Sequence, residues 1–188
     1  MTTPIDTAAL IARERQWLEA RTKKGAGLPI AGLLYWISVS MLLRGMPVRG
    51  AMLWSFVLTG AVFPIGLALT AWFGGRLFEK HAFSSLGGVL AATQLAYWPV
   101  IILVWIRIPE WTPFTMAVLF GSHFLPYAWL YRSRAYAVLA ISTVLVTTVA
   151  VMVARQPLMT TIPLIAAGCY AVSTVLLMRE LRTLSVPA

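Results

Sequence analysis

Apolar residues occur along this chain in long uninterrupted runs, separated by short polar connections. Six runs stand out: Leu28 to Leu43, Ala51 to Phe73, Leu86 to Ile106, Thr112 to Tyr131, Ala135 to Ala154 and Leu158 to Met178. A helix of about 20 apolar residues crosses the hydrocarbon core of a bilayer, and all six runs meet or approach that length. The first is the shortest; Arg44 at its end can snorkel to the interface. The connections are Arg44 to Gly50, Gly74 to Ser85, Arg107 to Trp111, Arg132 to Arg134 and Arg155 to Pro157, most of them carrying Gly or Pro. Such short links make consecutive helices antiparallel neighbours. The pattern predicts an all-α polytopic membrane protein, with six transmembrane helices in an antiparallel up-down bundle forming a single domain over residues 28–178.

The region ahead of the first run has a different rhythm. Thr3, Pro4 and Asp6 read as a helix start: Thr3 as N-cap, Pro4 where its missing N–H costs nothing, Asp6 near the positive end of the helix. From about Pro4 to Thr22, Leu10, Ile11, Trp17 and Leu18 share one stripe, while Arg13, Arg15 and Glu19 lie mostly off it. A helix of this kind lies on a membrane surface, or it packs against the protein's own cytoplasmic loops. Arg21, Lys23 and Lys24 follow as a basic cluster that, with Trp17, suits contact with anionic lipid headgroups. Residues 1–27 are therefore read as a cytoplasmic amphipathic, interfacial helix with its basic cluster, and residues 179–188 as a short cytoplasmic tail.

Composition supports the membrane reading. Hydrophobic residues make up 60% of the chain and charged ones 11%, against about half and a quarter in soluble proteins. Mean hydropathy is +0.81. The net charge of +9 does not indicate a nucleic-acid partner, because the Lys and Arg residues sit at the ends of apolar runs. With the N-terminus inside, eleven of the fifteen fall on the cytoplasmic side, which puts both termini in the cytoplasm. The charged helix before the first run does not have the form of a secretory signal. A lone Cys169 excludes an intramolecular disulfide and a Cys-based zinc cluster, and its apolar setting marks it as a packing residue.

The chemistry available is narrow. None of the six runs contains Asp, Glu, Lys or Arg, so the usual coupling groups of proton-driven and ion-driven transporters are missing. His81 and His123 lie in different segments, and no metal-ligand spacing occurs. Ser84 and Ser85 have no base at triad-like spacing, so no catalytic residue is assigned. The Gly74 to Ser85 loop gathers Arg76, Glu79, Lys80 and His81, but its paired glycines match no phosphate-binding fingerprint, and no cofactor is expected.

The fourth run is the exception. His123, Tyr127 and Tyr131 fall at i, i+4 and i+8, one polar seam along a helix. Pro126 removes a backbone donor, favours a kink and frees the carbonyl of Ser122. The third run adds Gln94, Tyr97, Trp98 and Pro99; the second adds Ser55, Thr59 and Pro64. Kinks are expected at Pro64, Pro99 and Pro126. The seams serve either as interhelical hydrogen-bond glue or as the walls of a ligand pocket; spacing alone does not say whether they converge. At an offset of 62 residues Tyr35-Trp36 maps onto Tyr97-Trp98 and Phe63-Pro64 onto Leu125-Pro126. That is a parallel duplication of a kind found in transporters, or a coincidence of apolar segments.

The stretch Gly121-Ser-His-Phe-Leu-Pro-Tyr-Ala-Trp-Leu-Tyr131, with Gln94 to Pro99 and Phe63-Pro64 before it, resembles an uncharacterised family of small multi-pass bacterial membrane proteins. In that family the fourth helix carries a small-His-aromatic-Leu-Pro pattern ending in Leu-Tyr, and the third carries Gln and Pro. The resemblance covers roughly residues 30 to 155. It implies a six-helix fold in the bacterial cytoplasmic membrane and no particular activity. The expected function is a transporter-like or lipid- or small-molecule-binding bundle with a polar site around His123. The alternative is a non-enzymatic structural or accessory subunit. Membrane lipids, a second copy or another membrane protein are the expected partners.

Overall fold

The computed structural model describes residues 6–77 and 83–184. Among these residues there is no strand. Helices α1 (Thr7–Thr22), α2 (Gly27–Gly45), α3 (Val48–Trp72), α4 (Ser84–Thr93), α5 (Trp98–Arg107), α6 (Thr112–Ser122), α7 (Leu125–Leu130), α8 (Arg134–Ala154) and α9 (Ile162–Arg182) follow in order. Single 3-10 turns at Lys23–Gly25, Gln94–Tyr97 and Pro109–Trp111 join some of them. Five helical spans are long and apolar enough to cross a membrane; α1 with α2 form one, and α4 with α5 another.

The fourth apolar run departs from expectation. It is divided at His123–Phe124 into α6 and α7, neither of which reaches spanning length alone. Pro126 explains the division only in part. The Phe124 N–H donates to Gly121 O at 3.1 Å, so the winding has tightened two residues before the proline. The third run is interrupted in the same way, with a 3-10 turn at Gln94–Tyr97 just ahead of Pro99. Pro64, by contrast, leaves α3 a single helix.

Close approaches hold α2 to α3. The Gly27 N–H donates to Thr70 Oγ1 at 2.9 Å, and that hydroxyl donates on to Gly66 O at 2.8 Å. A Cβ at Gly27 would stand 2.2 Å from the Gly66 carbonyl, so only glycine permits this spacing. The same small-residue logic, in which van der Waals contact between backbones replaces the hydrophobic effect, seats Gly121 of α6 on Thr143 of α8. Ser173 of α9 donates to Ala135 O of α8 at 2.9 Å. Buried Trp36, Met52, Met116, Leu139 and Leu177 fill the spaces between.

Helix α1 is capped by Asp6, whose carboxylate accepts from the Ala8 and Ala9 N–H groups, both at 3.1 Å. The expected cap at Thr3 and start at Pro4 lie outside the described residues. At its far end α1 stops in a left-handed turn: Lys23, Lys24 and Gly25 have φ of 48°, 52° and 62°. This turn folds α1 onto the end of the bundle. Lys24, expected at the headgroups, is instead only 4% exposed. Its Nζ lies 2.9 Å from Glu180 Oε2 and 3.6 Å from Glu19 Oε2. Arg132 approaches Glu19 at 3.7 Å, and Arg15 stacks 4.3 Å over the Trp129 ring while donating to the Trp129 carbonyl. The apolar stripe is split accordingly: Leu18 is buried, whereas Leu10 and Ile11 stay exposed. Trp17 carries the Arg21 guanidinium 5.6 Å over its ring, and Arg21 is exposed; Lys23 is half-buried.

Candidate functional site

A cavity of about 510 Å³ opens among α2, α3, the α4–α5 span and the α6–α7 break. Its size lies within the range of sites for small molecules. Of the residues singled out from sequence, His123, Tyr127, Gln94, Trp98 and Thr59 line it. Tyr97 and Tyr131 do not. Tyr97 stands edge-on to His123 with ring centroids 6.5 Å apart, and Tyr131 stacks on Tyr127 at 6.0 Å. Glu79, Lys80 and His81 of the preceding loop lie outside the described residues.

The inner wall is aromatic. His123 is edge-on to Phe124 and Tyr127 at 5.7 and 5.4 Å. Phe124 lies flat on Tyr136 of α8, 5.6 Å between centroids and 14° between planes. It meets Tyr170 of α9 edge-on at 5.7 Å. Gly32 of α2 makes room for that arrangement: a Cβ there would lie 2.2 Å from Tyr170 Cε1. Edge and offset stacks of this kind add about 0.5–1.5 kcal/mol each beyond burial, which makes the inner wall the stiff side of the cavity.

Its polar groups are few. The Tyr35 hydroxyl is buried and has no hydrogen-bond partner among the described residues. His123 is 8% exposed, and its ring contacts are aromatic. The Thr59 hydroxyl is committed to its own helix, donating to Phe56 O at 2.6 Å. Tyr127 donates weakly to Gly87 O at 3.4 Å. The Tyr136 hydroxyl turns away from the cavity, donating to Lys24 O at 2.7 Å and reaching Gly25 O at 3.2 Å. One wall of the site is thereby bonded to the turn that seats α1.

The outer side is open. Helices α3 and α5 are joined near one end, where Phe56 meets Trp98 and Trp105 edge-on at 5.3 and 5.6 Å. Trp105 also donates to Arg49 O at 3.2 Å. Further along, Gly60 and Phe63 of α3 face Ala92 and Leu95 across the cavity. Phe63 is 47% and Leu95 68% exposed, so these apolar residues form a rim that opens sideways out of the bundle.

Sequence reasoning missed the contribution of α8 and α9. Tyr136 and Tyr170 are hydroxyl-bearing aromatics within the last two apolar runs, and that was the available signal. Tyr35-Trp36 registered only as half of a repeat. No group of three or more His, Cys, Asp or Glu that could hold a metal occurs among the described residues. No curated protein and no solved structure matches the chain. Residues 11–180, nearly the whole of the helical region, match DUF7010, a family of unknown function, and the chain belongs to that family.

Proposed function

We propose that this protein binds a lipid-soluble small molecule or lipid in the cavity, as a transporter-like or ligand-holding bundle, taking it from the bilayer through the mouth between α3 and α4–α5. The observation that carries this reading is a sideways-opening apolar cavity lined by buried His123 and by Tyr35, whose buried hydroxyl has no hydrogen-bond partner among the described residues. A buried hydroxyl with no partner costs about 1–3 kcal/mol, and a ligand's oxygen or nitrogen would remove that cost. His123 and Tyr127 act as donors, with Gln94 and Trp98 placed at the cavity's waist and Tyr97 and Tyr131 supporting the ring stack.

In this reading the chain crosses a bacterial cytoplasmic membrane six times as an antiparallel up-down bundle. The broken α6–α7 serves as one span, and both termini are cytoplasmic in accord with the excess of Lys and Arg there. Helix α1 rests at the cytoplasmic surface, turning Leu10, Ile11 and Arg21 to the headgroups. A second reading, an accessory subunit or homo-oligomer, draws on the outer face of α4–α5, where Val89, Leu95 and Leu103 are all more than half exposed.

Native mass spectrometry of protein gently extracted from its own membrane separates the two. A bound small molecule or lipid that is lost in His123→Ala supports the first reading. A partner complex indifferent to His123→Ala, with no small molecule, refutes it in favour of the second.

A further inference from the structure

We infer that the occupant is an uncharged, oxygen-bearing apolar molecule that dissolves in the bilayer midplane and enters head first, its hydroxyl or carbonyl seated near Tyr35 and His123. This rests on the cavity being a binding site and names what it takes. Three observations lead to it. The first is depth. Thr59 and Phe63 at the mouth each lie nine or more residues from either end of α3, about 13 Å at 1.5 Å per residue. The hydrocarbon core is about 30 Å thick, so the mouth opens at its centre. A phospholipid's headgroup stays at the interface and does not visit that depth.

The second observation is the gradient along the cavity. Polarity in a lipid groove usually lies outside, near water. Here the most deeply buried polar residues are Tyr35 and His123, 6% and 8% exposed, with Thr59 and Gln94 half-buried, while the exposed rim residues Phe63 and Leu95 are hydrocarbon. A molecule with one polar end therefore fits only with that end innermost. The third is charge. No Lys, Arg, Asp or Glu among the described residues lines the cavity, and Lys24, a nearby buried cation, is held by Glu180 and Glu19. An ionised head would be buried there without a counter-charge, which is strongly unfavourable. A tyrosine hydroxyl and an imidazole suit a neutral oxygen, since together they offer donors and an acceptor.

The test uses the full chain in lipid nanodiscs and three photoreactive probes of equal length: a hexadecanol, a hexadecyl sulfonate and a phosphatidylcholine. Each carries a diazirine either near the head or near the chain end. The alcohol is expected to label the cavity, with the head-tagged form on peptides containing Tyr35 or Phe120 to Tyr127 and the end-tagged form on those containing Phe63 or Leu95. Tyr35→Phe should cut that labelling about tenfold, the worth of one buried hydrogen bond, and His123→Ala should cut it further. Because the Tyr35 hydroxyl has no hydrogen-bond partner among the described residues, Tyr35→Phe should fold normally. Equal labelling by the sulfonate or the phospholipid, or a reversed head-to-tail pattern, overturns this inference and leaves the cavity a binding site. Labelling by no probe, together with an empty cavity by native mass spectrometry, overturns both.

Discussion

The sharpest test of the inner wall is Gly32→Ala. An alanine methyl at this position would stand 2.2 Å from Tyr170 Cε1, 2.6 Å from Cδ1 and 3.3 Å from Cζ. Carbon atoms rest at about 3.5–4.0 Å, so the ring has to retreat by more than about 1 Å. Tyr170 is buried and its ring bears edge-on against Phe124 at 5.7 Å. The ring must therefore press into Phe124 or swing into the cavity that it lines. Overpacking of this kind costs about 1–3 kcal/mol, and replacing a helical glycine by alanine returns about 1 kcal/mol. A net loss of up to about 2 kcal/mol is expected, with a weakened hold on any bound molecule. Gly168→Ala on α9 is the control, because nothing lies within 4 Å of its Cβ position; only the favourable propensity term applies. Denaturant-induced unfolding in mixed micelles gives the stabilities, and native mass spectrometry gives ligand retention. Adding Tyr170→Leu to Gly32→Ala should recover stability non-additively, by about 1 kcal/mol or more. If Gly32→Ala matches Gly168→Ala in stability and retention, the packing argument for the wall is wrong.

Four further outcomes follow from single residues. Lys24→Met should cost about 3 kcal/mol, toward the low end for a broken buried pair, because it leaves buried Glu19 with only Arg132 and half-buried Glu180 without its cation; adding Glu180→Gln should restore part of it, and the same unfolding assay reads both. Tyr136→Phe keeps the stack on Phe124 but leaves the Lys24 and Gly25 carbonyls without their donor, a loss of about 1–3 kcal/mol. Tyr35→Phe, which breaks no bond, should be neutral or stabilising by about 1 kcal/mol in the empty protein, and equal losses in the two tyrosine variants would contradict the hydrogen-bond assignment. Asp6→Ala should weaken the α1 cap by about 1 kcal/mol, visible as faster hydrogen exchange at Ala8 and Ala9 with global stability unchanged.

Most helices were legible because charge-free runs bounded by Gly, Pro and Arg leave little choice. Ala135 to Ala154 as read became Arg134–Ala154, and Ala51 to Phe73 became Val48–Trp72. The fourth run misled because a proline marks where a donor is missing, not where the winding changes: Pro126 is at the start of α7, and the break precedes it at His123–Phe124. Pro64 leaves the winding unbroken. Helix α3 continues through it and is clamped to α2 just beyond, at Gly66 and Thr70. On the site, His123, Tyr127, Gln94, Trp98 and Thr59 could each be named from polar seams, but Tyr136 and Tyr170 could not. A single tyrosine in an apolar run has no periodicity to show which neighbour it faces. Lys24 was misread for a related reason: its partners are Glu19, across a turn with left-handed φ, and Glu180, 156 residues away.

The two interrupted spans and the cavity account for one another. Within hydrocarbon, every backbone group must be bonded internally, and non-helical backbone persists only where protein covers it or where it lines a cavity. Pro64, Pro99 and Pro126 remove the N–H groups that would have bonded the carbonyls of Gly60, Leu95 and Ser122. Leu95 is rescued by the tightened turn, since the Trp98 N–H reaches its carbonyl. Gly60 lies on the cavity wall, within α3. The Thr59 hydroxyl beside it is already spent on Phe56 O, so a group entering the cavity is the natural partner for the freed acceptor. On the proposed membrane placement, an opening lined by His123, Gln94 and Tyr35 is where interrupted spans can keep non-helical backbone covered, and it is also the arrangement that leaves room for a ligand.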